Sequence, residues 1–145
     1  MSETLTRTTV LLIDGHKEVL AALSRRLKKV GDLKVVGETG SSGRALDMAA
    51  RLRPDLIIAD FGAGGAYAAA RCARLQQACP DSQIVVFTPY ADESMRQMYA
   101  DAGAAACLLK DIGFDGLVRE LRMLIAKADA SRACQRVRRG PESAG

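Results

Sequence analysis

The sequence predicts an α/β domain built on a doubly wound, five-stranded parallel sheet. Three observations predict it. Short apolar runs and helical periodicities alternate five times along the chain. The runs are continuous rather than alternating in polarity, as in strands buried on both faces. Four of them end on a residue with useful chemistry: Val10-Leu11-Leu12-Ile13 on Asp14, Leu56-Ile57-Ile58-Ala59 on Asp60, Ile84-Val85-Val86-Phe87 on Thr88, and Ala106-Cys107-Leu108-Leu109 on Lys110. As parallel strands they would gather those residues at the carboxyl edge of one sheet, where open α/β sheets place their sites.

Each element follows from local pattern. Residues 8–14 read as a buried strand. Residues 17–30 read as a helix, with Val19, Leu20, Leu23, Leu27 and Val30 at helical spacing and Gly31-Asp32 ending it. Leu33 to Glu38 is a second strand. Ser41-Ser42-Gly43 opens a helix that runs to about Arg53. Pro54-Asp55 breaks the chain before the third strand, 56–60, and the glycine-rich loop Gly62-Ala63-Gly64-Gly65 follows. A helix to about Cys79 carries Ala68, Cys72, Leu75 and Cys79 on one face. Pro80-Asp81 precedes a strand over 83–88. A helix near 92–102 carries Met95, Met98 and Tyr99, and Gly103 ends it. Residues 105–110 form the fifth strand. The last helix begins near Phe114 and carries Leu117, Leu121, Leu124 and Ile125. It runs to about Ala128 or on into the arginine-rich tail.

The 145 residues suit one domain with a real core. Apolar content of 48% and charged content of 26% are ordinary for a soluble globular chain. No apolar stretch has membrane-spanning length, and the start, Met-Ser-Glu-Thr-Leu-Thr-Arg, has no signal-like apolar region, so a cytoplasmic protein is expected. Cys72, Cys79, Cys107 and Cys134 form no C-x-x-C pair. Reduced thiols are expected rather than a zinc site or disulfides. The net charge of +4 is uneven: residues 131–145 carry four arginines against Glu142, leaving +1 on the first 130 residues. The body therefore lacks the basic face of a nucleic-acid binder, and direct DNA binding is not expected. The expected division is a domain over 8–128 and a basic, partly disordered tail over 129–145.

The strand ends carry the chemistry. Asp60, before a loop of three glycines, is the candidate nucleophile, since an accessible carboxylate can take a phosphoryl group as an acyl phosphate. Asp14, Asp60 and a loop carbonyl at Gly62 form a candidate oxygen set for Mg²⁺. Lys110 can pair with a carboxylate and then with a phosphoryl group, and the Thr88 hydroxyl can hydrogen-bond a phosphoryl oxygen. Singly, each has a plainer reading: a turn or cap aspartate, a solvated lysine, a β-prone threonine. The signal lies in four such residues ending four separate strands.

With these residues in place, the chain resembles the receiver domains of two-component response regulators, most closely those of the NarL/FixJ (LuxR-type) class. The resemblance covers about residues 8–128. It rests on Val10 through His16, Val35-Val36-Gly37-Glu38, Arg53 through Asp60, Val85-Val86-Phe87-Thr88, Ala102-Gly103-Ala104 and Leu108-Leu109-Lys110-Asp111. It implies a (βα)5 flavodoxin-like receiver fold and a non-enzymatic signalling role. It makes Asp60 the phosphoacceptor, Asp14 the metal-site acid, Thr88 the switch hydroxyl and Lys110 the phosphate-binding lysine. It implies a histidine kinase or phosphotransfer protein upstream, an effector protein downstream, and a homodimer through the fourth helix, fifth strand and last helix. Met95, Met98 and Tyr99 would supply apolar contacts on that face, some of them also serving the core.

The departures bear on function. Two adjacent acids usually follow the first strand, and here the second is Gly15; His16 and Lys17 are not expected to replace it. The Pro-Gly of the loop after the acceptor reads Gly64-Gly65, the fifth-strand aromatic is Cys107, and Pro89-Tyr90 follows Thr88. Weak Mg²⁺ affinity and slow phosphotransfer are therefore expected. Two alternatives stand beside an active receiver. One is a phosphorylation-independent interaction module. The other, ranked low for want of a P-loop or G-x-G-x-x-G, is a flavodoxin-like small-molecule enzyme. The residues after the last helix are too few for a helix-turn-helix output domain, which leaves a stand-alone regulator or a piece of a longer chain.

Overall fold

The computed structural model describes residues 7–62 and 65–139. The chain divides into two compact units, residues 1–111 and 112–145. The first contains five parallel strands: β1 (Thr8–Ile13), β2 (Leu33–Thr39), β3 (Leu56–Ala59), β4 (Gln83–Thr88) and β5 (Ala106–Leu109). Their order is β2-β1-β3-β4-β5. Four helices connect them: α1 (Lys17–Leu27), α2 (Ser42–Leu52), α3 (Gly65–Ala78) and α4 (Glu93–Asp101). This is the doubly wound sheet that the sequence predicts, with boundaries within a few residues of those expected.

The strands form because their apolar runs bury both faces. Val10, Leu11, Ile57, Ala59, Ile84, Val85 and Val86 are wholly inaccessible. Leu11, Ile13, Ile57, Ala59, Ile84 and Val86 pack with α2, α3 and α4 through Ala45, Ala49, Ala68, Cys72, Leu75 and Tyr99. On the other face, Leu20 and Leu23 of α1 lie beside Leu12 and Ile58. Glycine lets the chain pass close at Gly37 in β2, where a Cβ would lie 2.7 Å from the Met48 methyl of α2, and at Gly103, which has φ +101° and where a Cβ would lie 2.6 Å from Gln76 Cγ.

The helix ends follow their capping chemistry. The Ser41 hydroxyl accepts the Arg44 N–H at the start of α2, and the Asp92 carboxylate accepts the Met95 N–H at the start of α4. Arg53, at φ 47°, takes the left-handed conformation that ends α2 before Pro54.

Of the three α4 side chains expected to divide between a partner face and the core, Tyr99 falls in the core: it is 2% exposed and lies 6.4 Å from Phe61 between ring centroids. Met95 packs partly buried against the same core. Helical spacing shows which residues share a face, but not which of them sit above the sheet.

The second unit contains α5 (Gly113–Arg139). Leu117 and Leu121 are fully buried, whereas residues 131–138 are exposed. Arg132, Arg136 and Arg138 thus stand on a helix. Of the tail expected over 129–145, residues 140–145 and the side chain of Arg139 lie outside the described residues, as do Ala63 and Gly64 of the glycine loop. No helix among the described residues is long and apolar enough to cross a membrane.

Candidate functional site

Sheet register builds the site. Ile13 pairs with Ala59, so the next residues, Asp14 and Asp60, leave adjacent strands at the same height. The Asp60 N–H donates to the Ile13 carbonyl at 2.9 Å, and the Asp14 N–H to the Thr39 carbonyl at 3.1 Å. Thr88 pairs with Leu109, which sets Lys110 one residue beyond β5 at the same edge. Four apolar strands thereby deliver four polar ends to one place, as parallel strand termini do in doubly wound sheets.

The two aspartates are tied alike. One oxygen of each accepts a backbone N–H two residues on: Asp14 Oδ1 from His16 at 2.8 Å, Asp60 Oδ1 from Gly62 at 2.9 Å. The other oxygen of each accepts from the Lys110 ammonium, Asp14 Oδ2 at 2.7 Å and Asp60 Oδ2 at 2.9 Å. The carboxylate side chains are 5% and 6% exposed, and Lys110 is 19% exposed. At this burial an unpaired charge would be costly, so Lys110 is the cation that lets two carboxylates share the edge. Burial works against its charge, and the hydrogen bonds it donates to both aspartates, with their negative charge, outweigh it, holding the ammonium above the usual lysine range.

Gly62 has φ +84°, a conformation that glycine adopts without strain, and this turn brings its N–H back onto Asp60. Thr88 is buried at the same edge, and its hydroxyl donates to the Tyr90 carbonyl at 3.3 Å. Tyr90 itself is exposed. Cys107 is half-buried, burial pushes its thiol pKa up, and its carbonyl accepts from Arg96 at 2.9 Å.

His16 enters the site against expectation. Its Nδ1 lies 3.2 Å from Asp14 Oδ1. Asp14, His16 and Asp60 each offer one ligand atom, all within 4.8 Å of one another. The sequence carried no signal for this. The turn that Asp14 makes with the His16 N–H brings the imidazole back over the carboxylate. For a divalent cation the donor set is two carboxylates and an imidazole, with a residual charge of −1 over Asp14, Asp60 and Lys110. Two carboxylates suffice to begin a Mg²⁺ site, which draws its other ligands from water and phosphate oxygens.

The acid-lysine cluster stands at the carboxyl edge of a five-stranded parallel sheet, where open α/β sheets place their sites. Residues 10–122 match the response regulator receiver domain, and the chain belongs to that family. It is 31% identical over 120 residues to the response regulator GacA of Pseudomonas aeruginosa, covering 81% of this chain and 55% of that one. It is 29% identical over 118 residues to the nitrate/nitrite response regulator NarL of Escherichia coli, again covering 81% and 55%. The chain thus spans about half the length of the curated relatives it matches. Among solved structures, it shares its fold with the signal receiver domain of a NarL response regulator from Mycobacterium tuberculosis. The TM-score there is 0.72 at 22% identity, over 86% of this chain and 98% of that one. A Thermotoga maritima response regulator gives a TM-score of 0.74 at 22% identity, over 83% and 98%. Neighbours of the NarL type agree with the class that the sequence motifs indicate.

Proposed function

We propose that this chain is a cytoplasmic receiver that takes a phosphoryl group on Asp60, and that Gly15 makes its metal site weak and its phosphotransfer slow. The observation that carries this reading is the Asp60 carboxylate, ion-paired with Lys110 beside Asp14 at the sheet's carboxyl edge. An Asp60 carboxylate oxygen attacks the phosphorus of a phosphohistidine. The phosphorus–oxygen bond forms, the phosphorus–nitrogen bond breaks, and the imidazole leaves and takes up a proton. Lys110 then pairs with the new phosphoryl oxygens as a point charge. The Thr88 hydroxyl exchanges the Tyr90 carbonyl for a phosphoryl oxygen. Asp14 and Asp60 would hold the cation, with His16 beside them, and a bound Mg²⁺ offsets the repulsion between the incoming group and the carboxylates. Gly62 meets Asp60 through its N–H, and its carbonyl would add an oxygen to the set that holds the cation.

Receivers of response regulators interact with kinases and effectors. For this chain we assign a histidine kinase or phosphotransfer protein as donor, an effector protein as output, and a homodimer through α4, β5 and the last helix. The acceptor role is tested by incubating the protein with phosphoramidate and Mg²⁺ and weighing it intact. We expect a fraction heavier by one phosphoryl group, lost in Asp60→Asn. An unchanged mass after long incubation at high Mg²⁺ would remove the acceptor role and leave the interaction module.

A further inference from the structure

Beside the Asp60 carboxylate lies a cavity of about 360 Å³, lined by residues of the β1–α1 turn, the start of α2, Phe61 and Gly62 after β3, and α3. Gly15, Gly40, Gly43 and Gly62 all line it, and a Cβ on Gly15 or Gly62 would meet nothing within 4 Å. The remaining wall is largely apolar, with Ile13, Leu46, Phe61 and Leu75. Its size falls within the ~300–1,000 Å³ of small-molecule sites, and an apolar wall with a few polar groups is their usual make-up.

Asp60 lines the cavity too, but its carboxylate is already paired with Lys110; the other charged groups on the wall are two exposed arginines. Arg71 and Arg74 reach the cavity from successive turns of α3. Arg71 is oriented by a hydrogen bond to the Phe61 carbonyl at 2.8 Å. Among the described residues neither arginine has a carboxylate partner, because the oxygens of Asp60 are taken by Gly62 and Lys110. At the start of α2 the Ser41 hydroxyl caps Arg44, so the N–H groups of Ser42 and Gly43 are left for an acceptor. Two uncompensated guanidiniums and a helix start around an apolar chamber suit an anion with an apolar body.

We propose that this cavity binds a small organic carboxylate, its ring or branched chain against Leu46, Phe61 and Leu75 and its carboxylate toward Arg71 and Arg74. The site goes beyond the acceptor role of Asp60, and it does not require that Asp60 accept a phosphoryl group.

The test uses the full chain, uniformly labelled with nitrogen-15, and 1-naphthoate as probe. The control is 1-naphthylmethylamine, of similar shape and opposite charge. Naphthoate is expected to shift the amides of Gly40, Gly43, Phe61, Gly62 and Leu75 saturably, with a Kd on the order of 1 mM for a probe of this size. The amine should leave them in place. A double variant, Arg71→Gln with Arg74→Gln, should weaken binding about tenfold. Gly43→Leu, at a glycine that lines the cavity and where a Cβ meets nothing closer than 3.9 Å, should abolish binding. Well-dispersed spectra of both variants establish that they fold. Equal binding of amine and carboxylate, shifts scattered away from these amides, or binding untouched in both variants would overturn the proposal.

Discussion

Asp14 and Asp60 solve the same problem in the same way. Each gives one oxygen to a backbone N–H of its own turn and the other to Lys110. Removing the shared cation strands two nearly buried carboxylates. Lys110→Met is expected to lower stability by about 1–3 kcal/mol in urea denaturation, and millimolar Mg²⁺ should recover part of that loss. A divalent cation that leaves the variant no more stable would mean that these carboxylates do not form a cation site. Lys110, Asp14, Asp60 and Thr88 were all legible in the sequence, because a continuous apolar run that stops on a polar residue marks a buried strand's end. His16 was not, because an exposed residue's direction is set by the turn before it, and that turn depends on where Asp14 points. The cavity was also invisible: it is lined by glycines of separate loops and of α2 that meet only in space.

The elements show where periodicity reads well and where it stops. The apolar face of α3 was legible, and Cys72 is wholly buried within it. Tyr99 on α4 fell on the correct helix, but its role was ambiguous until the sheet placed it in the core. The extension of α5 to Arg139 was one of two expected endings, since exposed Ala and Arg favour helix without requiring it. Thiol exposure gives a direct check on these placements. Cys134 is exposed, Cys107 is half-buried, and Cys72 and Cys79 are buried. With an aromatic disulfide reagent at neutral pH, Cys134 is expected to react first, Cys107 more slowly, and Cys72 and Cys79 only as the protein unfolds. Alkylation followed by peptide mass mapping reads the order. Early labelling of Cys72 would contradict the packing of α3 on the sheet.

At the scale of the whole molecule, proton linkage gives the stability curve a direction. Burial raises the Cys72 thiol from 9.0 to about 11, with a smaller contribution from Cys107. The folded chain therefore keeps a proton that the unfolded chain releases above pH 9. Stability from Cys72 is fully present below that pH and is lost as pH rises toward about 11, an effect on the order of 2 kcal/mol. Lys110 has the same sign: its pKa is raised from 10.5, so its contribution is also lost at alkaline pH. Urea midpoints should change little on account of these groups between pH 7 and pH 9 and then fall, and Cys72→Ala should fall less steeply. A midpoint that rises over that alkaline interval would contradict the burial of these groups.

The central claim is that Asp60 accepts a phosphoryl group while Gly15 limits the reaction. Gly15 can be replaced directly, because a Cβ there has no neighbour within 4 Å. The most direct measurement is the rate of phosphoramidate labelling against Mg²⁺ concentration, by intact mass, for the native chain, Gly15→Asp and Gly15→Asp with Asp60→Asn. The account predicts slow labelling of the native chain. Gly15→Asp should label faster and reach half-maximal rate at a Mg²⁺ concentration lower by about tenfold, and the double variant should not label. A native chain that labels as fast as Gly15→Asp at the same Mg²⁺, or a double variant that still gains the mass, would contradict it.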